Sequence, residues 1–188
     1  MFKYLQMTFL AALLAACSPS GDDLDAPPVS LGDFKLGHNV VVASKAVKGP
    51  LSREASEAEL KSAMKAAIAD RFARYEGIKL YHFGVSVEGY VLAAPGVPIV
   101  ASPKSVMIVQ ITVWDDAANA KLNEKPHQLT IFESLSGETA IGSGLTQSKD
   151  EQLRNLTVNA AKQIELYLVE QQNAQGWFTS EAAETETE

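Results

Sequence analysis

The chain has 188 residues, of which 46% are hydrophobic and 21% are charged, and its formal net charge is −7. This composition excludes a collagen-like or wholly disordered chain, and the length favours one packed domain. The single cysteine excludes an intrachain disulfide and every zinc motif that is built on several cysteines.

The N-terminal segment has the pattern of a secretory signal peptide. Lys3 precedes an apolar run, Thr8 to Ala16, that is too short to span a bilayer as a helix. Leu14-Ala15-Ala16-Cys17 resembles the lipobox of bacterial lipoproteins. The resemblance implies that residues 1–16 are removed and that Cys17 carries acyl chains, which hold a protein on a membrane. The alternative is a soluble secreted protein whose cysteine follows the cleavage site by chance.

The residues after the cysteine predict the location and the domain boundaries. In lipoproteins, an aspartate after the cysteine favours retention in the inner membrane; here Ser18 and Pro19 follow instead, which favours the outer membrane, facing the periplasm. We expect residues 17–30 to be the lipidated cysteine and a flexible acidic linker, since they combine prolines with aspartates. Residues 31–178 should form a single domain, followed by a disordered acidic tail at 179–188.

The charge of the predicted domain limits its partners. Acidic and basic residues are nearly equal in number between the two acidic tails. There is no basic footprint for nucleic acid and no polybasic patch for anionic lipid. The membrane contact that we expect is therefore the lipid on Cys17.

The first half of the domain predicts a strand, a helix and a second strand. The three successive valines of Asn39 to Ser44 indicate a strand that is buried on both faces and hence central. Ser56 and Glu59 fit a capping box that opens a helix over about 57–75, with Gly77 as its terminator. Residues 78–93 alternate as a strand, with Tyr90 outward, Val91 inward and a kink near Gly84 or Gly89.

The second half predicts a hairpin and a closing helix. Residues 105–114 and 127–135 form the two strands, and Met107, Val109, Ile111 and Val113 point inward. A second capping box, Ser148 to Glu151, opens a helix that ends near Gln172.

This order of elements, β-α-β-β-β-α, predicts an α+β fold. The expected arrangement is a two-layer sandwich in which both helices pack on one face of a mixed, mostly antiparallel sheet of four or five strands.

The lipobox, the acidic linker and this succession of elements together resemble bacterial envelope lipoproteins. The resemblance in layout includes the lipopolysaccharide-assembly lipoprotein, the auxiliary lipoproteins of ABC-type transporters and the N-terminal domain of the Tol-system propeller protein. The segment from Thr112 to His127 is similar to small uncharacterised lipoproteins of alphaproteobacteria. These resemblances imply no catalytic residues, and fold analogy does not establish function.

The side chains that could carry chemistry predict neither an enzyme nor a metal or cofactor site. His38, His82 and His127 lack zinc-site spacing. An acylated Cys17 leaves no thiol nucleophile, and the sequence has no Gly-x-Ser-x-Gly elbow. The adjacent Asp115 and Asp116 are typical of a solvated turn.

Two apolar segments are candidate partner-binding sites. Val97, Ile99 and Val100 lie among prolines, so they form either a docking loop or a cover over a sheet edge. Trp177 and Phe178 follow a helix stop at Gly176, so they either pack back as a latch or contact a membrane or a partner.

Together, these features predict an anchored periplasmic lipoprotein that binds or scaffolds a transport or assembly component of the cell envelope, either protein or lipid. The alternative is a carrier of a small ligand or a metal. The sequence leaves the homo-oligomeric state open.

Overall fold

The structure is a computed structural model that describes residues 23–94, 105–133 and 147–179. In chain order its elements are β1 (Lys35–Val42), β2 (Val47–Lys48), α1 (Glu57–Phe72), β3 (Leu80–Val91), β4 (Val106–Asp115), β5 (Ala120–Lys121), β6 (His127–Phe132) and α2 (Lys149–Gln175). The α+β prediction is confirmed, although the sheet has six strands in these residues instead of four or five. The additional strands, β2 and β5, have two residues each and are too short to leave a periodicity in the sequence.

The sheet is mixed, as predicted. β1 and β2 both pair in parallel with β3, β3 pairs antiparallel with β4, and β5 and β6 pair antiparallel with β4. The prediction that β1 is central was wrong, because β1 lies at the edge of the sheet. Val41 alone among the three valines is buried, whereas Val40 is 57% exposed and Val42 is 47% exposed.

The hydrophobic core lies between the sheet and the helix layer, which consists of α1 and α2. On β3 and β4 the inward side chains are almost completely buried, as the alternation predicts; they are Tyr81, Phe83, Val85, Val87, Met107, Val109, Ile111 and Val113. The two helices also pack against each other. This arrangement buries the apolar stripe of each helix and one whole face of the sheet.

A β-bulge near the end of β3 reverses which of the following side chains point into the core. The register with β4 shifts between Val87 and Gly89, so Tyr90 is buried and Val91 is half-buried, the reverse of the prediction. The Tyr90 hydroxyl donates to the carbonyl of Ala55 over 2.9 Å and accepts from the Ala55 amide over 3.1 Å. The bulge therefore positions a side chain that holds the segment before α1.

Both predicted capping boxes are confirmed. The Ser56 hydroxyl accepts from the Glu59 amide, and Ser148 and Glu151 make the same contacts at α2. Gly176 ends α2 in the left-handed conformation, with φ of 66°. The prediction for Gly77 was wrong, since α1 ends at Phe72 and is capped by Ala73 in a right-handed conformation.

Candidate binding surface

The helix layer covers one face of the sheet. The opposite face, which we call the outer sheet face, has no helix over it within the described ranges. It is formed by the residues that alternate with the buried ones; from β1 to β6 these include Val40, Val42, Gly84, Ser86, Val106, Ile108, Gln110, Thr112, Gln128, Thr130 and Phe132. The rigid strands fix these side chains in a defined order.

The strand register divides the outer sheet face into a polar centre and an apolar end. Ser86, Gln110 and Gln128 lie side by side across β3, β4 and β6. At the apolar end, Val106 lies between Val91 and Phe132, and the Phe132 side chain is 58% exposed. An exposed phenylalanine beside further apolar side chains is typical of a surface that contacts another molecule.

Two shallow grooves cross the outer sheet face. One, of about 350 Å³, is lined by Val47, Val106 and Ile108 among others, and the second, of about 230 Å³, is lined by Val40, Val42, Thr112 and others. Both grooves include Gln110, and among the described residues Glu88 is the one charged residue that lines either of them. Such a surface can recognise apolar and hydrogen-bonding groups, since depletion of charge is typical of the centre of an interface.

The three histidines do not form one cluster. The His38 amide donates to Nδ1 of His82 over 2.8 Å, which leaves Nε2 of His82 to donate to Asp116 over 2.9 Å. The ring of His127 instead stacks on Tyr167, with the ring centroids 3.9 Å apart. In residues 23–94, 105–133 and 147–179, no group of three or more His, Cys, Asp or Glu side chains could hold a metal ion.

Of the predicted partner-binding residues, Phe178 lies in the core. Its side chain is 0% exposed, and its ring centroid is 5.1 Å from that of Phe34 and 4.8 Å from that of Tyr81. This location corrects the expectation that Phe178 contacts a partner: it packs back as a latch. Trp177 is partly buried and meets Tyr167 edge-on, with 5.8 Å between the ring centroids.

The other predicted site residues lie outside the described residues. These are Cys17 and the loop residues Val97, Ile99 and Val100. Their roles in lipidation and in partner binding stay predictions. The sequence predicts the outer sheet face as the polar side of the alternating strands and as a possible ligand site of the carrier alternative, but its apolar end around Phe132 was not predicted.

A cluster of charged side chains joins the two helices. Arg71 of α1 donates to Glu165 of α2 over 2.8 Å, and both side chains are 1% exposed. The Tyr75 hydroxyl donates to the other Glu165 oxygen over 2.8 Å. Asp23 accepts from Arg71 over 2.6 Å and from Lys162 over 2.7 Å. Each charge in this cluster therefore has an opposite charge beside it.

The contacts in the cluster shift the pKa values of its members. Burial alone raises the pKa of Asp23, but hydrogen bonds from Arg71 and Lys162 outweigh it and lower the pKa to about 2. Burial alone lowers the pKa of Lys162, yet Asp23 and Glu165 bring it above the ordinary value. Burial, together with the bond to Glu165, raises the pKa of Tyr75. At neutral pH, Asp23 and Lys162 are charged and Tyr75 is protonated.

The cluster shows that part of the predicted linker contacts the domain. Besides Asp23, the carbonyls of Leu24 and Ala26 accept hydrogen bonds from Nη1 of Arg74, over 2.9 Å and 2.8 Å. The expectation of a flexible linker over residues 17–30 therefore needs correction at residues 23–26. Asp23 is bound because its carboxylate lies between two cations, the buried Arg71 and Lys162.

No protein-family model and no curated protein matches the chain. Among solved structures, a protein from Caulobacter crescentus described as a candidate lipoprotein is 16% identical, over 70% of this chain and 90% of that one, with a TM-score of 0.38. A protein from Xanthomonas campestris is 10% identical over 79% and 94%, with a TM-score of 0.41. The PelC dodecamer from Paraburkholderia phytofirmans is 13% identical over 71% and 92%, with a TM-score of 0.36. At these identities and scores, the functions of those proteins do not transfer to this chain.

Proposed function

We propose that the chain is a lipoprotein of the outer membrane, anchored through Cys17 and facing the periplasm, and that its outer sheet face binds another protein of the cell envelope in a transport or assembly complex. The anchor rests on the lipobox-like segment before Cys17. No helix within the described ranges is long and apolar enough to cross a membrane. The observation that carries the binding role is the outer sheet face, which no helix of residues 23–94, 105–133 and 147–179 covers.

The composition of the outer sheet face supports protein binding. Its apolar end, with Phe132, Val106 and Ile108, would supply the dehydrated centre of an interface, and the amides of Gln110 and Gln128 would supply hydrogen bonds beside it. The grooves are shallow, and Glu88 is the single charged residue that lines them within the part of the chain that the structure describes. A broad, weakly charged surface of this kind suits a protein better than a polar small molecule.

The ionisable residues support a role without catalysis. The pKa values of Asp23, Lys162 and Tyr75 are shifted by one cluster in which these groups are bonded to each other or to Arg71 and Glu165. Structural ion-pair networks shift pKa values as active sites do. Of the described residues that line the grooves of the outer sheet face, only Glu88 has an ionisable side chain. We therefore propose a binding protein and not an enzyme.

Photo-crosslinking in native membranes tests the binding role. A crosslinking amino acid at Gln110, on the outer sheet face, should give a discrete protein adduct, and the same group at Lys61, on the helix layer, should not. Phe132→Ser should abolish the adduct. Leu166→Ser is the matched control, because Leu166 is a 43% exposed apolar residue on α2.

Equal adducts from Gln110 and Lys61, or an adduct that survives Phe132→Ser, would refute the proposed interface. An adduct with the mass of a lipid or another small molecule would also refute protein binding, and it would support the carrier alternative.

A further inference from the structure

We propose that Asp23 fastens the N-terminal segment to the helix layer, so that the helix layer faces the phospholipid bilayer and the outer sheet face is directed away from it. This inference rests on the proposed lipidation of Cys17. A lipid on Cys17 alone does not determine which face of the domain lies next to the membrane. The contacts of Asp23 would determine it.

The first fastening point is the Asp23 carboxylate. Its Oδ1 accepts from Arg71 and its Oδ2 accepts from Lys162, so one side chain bridges α1 and α2. Arg71 is 1% exposed. Charge-assisted hydrogen bonds to a buried cation are stronger than those between exposed ions, because less of the attraction is screened by water. Asp23 is therefore held more firmly than an ordinary surface aspartate.

The second fastening point is Arg74, just beyond the end of α1. Its Nη1 donates to the carbonyls of both Leu24 and Ala26. The Ala26 amide in turn donates to the Asp23 carbonyl over 3.1 Å, which closes a turn. Residues 23–26 are thus attached to the helix layer at two places.

The length of chain before Asp23 sets the distance to the membrane. Cys17 is six residues before Asp23. Six residues span at most about 21 Å even when fully extended. A helix is about 10–12 Å across, and the sheet and its side chains behind it add about 10 Å more. The two layers together are thus about 20–22 Å thick, which equals the full extension of these six residues even along a straight line, so no length remains for a path around the side of the domain to the outer sheet face.

Without the contacts of Asp23 and Arg74, this restriction would disappear. After residues 23–26, the first residue that is buried in the domain is Leu31, which is 1% exposed. The fourteen residues from Cys17 to Leu31 reach up to about 50 Å, which is enough to present any face of the domain to the membrane. The orientation therefore depends on the contacts at residues 23–26.

Energy transfer from two positions of the lipidated protein tests the orientation. The full-length lipoprotein is reconstituted into phosphatidylcholine vesicles that contain an acceptor dye on the lipid headgroup. A donor dye is attached to an introduced cysteine, either Lys61→Cys on the helix layer or Val42→Cys on the outer sheet face. Since Cys17 is the one natural cysteine and would be acylated, the introduced thiol alone reacts. Transfer should be more efficient from position 61 than from position 42.

Asp23→Asn combined with Arg74→Gln releases both fastening points and should remove this difference between the two positions, whereas Asp25→Asn, a control in the same segment, should leave it unchanged. Each single variant should reduce the difference, and circular dichroism should show that all of these variants remain folded. Equal transfer from positions 61 and 42 in the natural background, or a difference that persists unchanged in the double variant, would overturn the orientation. If the anchor itself is wrong, the protein will not float with the vesicles, and neither dye will transfer energy.

Discussion

Arg71 and Glu165 form an ion pair inside the domain, with 2.8 Å between Nη1 of Arg71 and Oε2 of Glu165 and with each side chain 1% exposed. Because both charges are removed from water, either one alone would be costly to bury. The pair also connects the two helices at residues that are far apart in the sequence. The same Arg71 guanidinium also donates to Asp23, so the pair holds in place the group that Asp23 binds.

Breaking this pair should destabilise the domain strongly. Arg71→Met leaves Glu165 buried with less compensating charge, so the free energy of unfolding should fall by about 3–5 kcal/mol. Arg71→Met combined with Glu165→Met should cost less than the sum of the two single changes. Lys61→Met removes an exposed ion pair with Glu57 and is the control. Urea unfolding that gives the same stability for Arg71→Met and Lys61→Met would contradict the structure.

The ion pairs of Asp23 with Arg71 and Lys162 should be lost when the pH is lowered far enough to protonate the Asp23 carboxylate. Its pKa is lowered from 3.8 to about 2, so its contribution to stability is complete above about pH 4 and is lost as the pH falls towards 2. The Asp23 side chain is 39% exposed, and screening by water therefore limits this contribution to about 1 kcal/mol. NMR titration of the side-chain carboxyl carbon should give a midpoint near 2 in the folded protein and near 3.8 in urea. A folded-state midpoint near 3.8 would show that Asp23 is not bound.

Two glycines should differ in their tolerance of alanine. A Cβ on Gly77 would lie 2.4 Å from the backbone nitrogen and 2.5 Å from the backbone oxygen of Phe34, so Gly77→Ala must displace the backbone. No atom lies within 4 Å of the corresponding position on Gly84. Thermal unfolding should therefore show a clear loss of stability for Gly77→Ala and little change for Gly84→Ala. Equal midpoints would exclude the close approach of Gly77 to Phe34.

The latch formed by Phe178 should be important for stability. Phe178→Ala removes a fully buried ring from the core and should cost about 3–5 kcal/mol. Phe132→Ala, at a 58% exposed position, should cost much less. Chemical unfolding of the two variants makes the comparison. If Phe178→Ala is as stable as Phe132→Ala, the segment after α2 does not pack against the core.

The sequence predicts the parts of this fold that depend on local patterns. The capping boxes at Ser56 and Ser148 are found where a serine precedes a glutamate by three residues. The inward side of β4 follows from strict alternation between Met107 and Val113. These features involve residues close together in the chain, so the local sequence contains all the necessary information.

Other features that depend on distant contacts were not predicted, although the mixed sheet was. The run of Val40, Val41 and Val42 indicated a central strand, but strand order is decided by pairing between distant segments, and β1 is at the edge. Arg71 belongs to the buried stripe of α1 because Glu165, which is 94 residues away, provides its counter-charge. Nothing near Arg71 in the sequence distinguishes it from a surface arginine, so the contact of Asp23 could not be predicted either.

Mass spectrometry of the N-terminal peptide from the native membrane protein tests the central claim most directly, since both the binding role and the orientation depend on the anchor. We predict that the chain begins at Cys17 and carries acyl chains on its sulfur and on its new amino group. A peptide that retains residues 1–16 and has a free thiol at Cys17 would contradict the lipid anchor and the envelope function proposed from it.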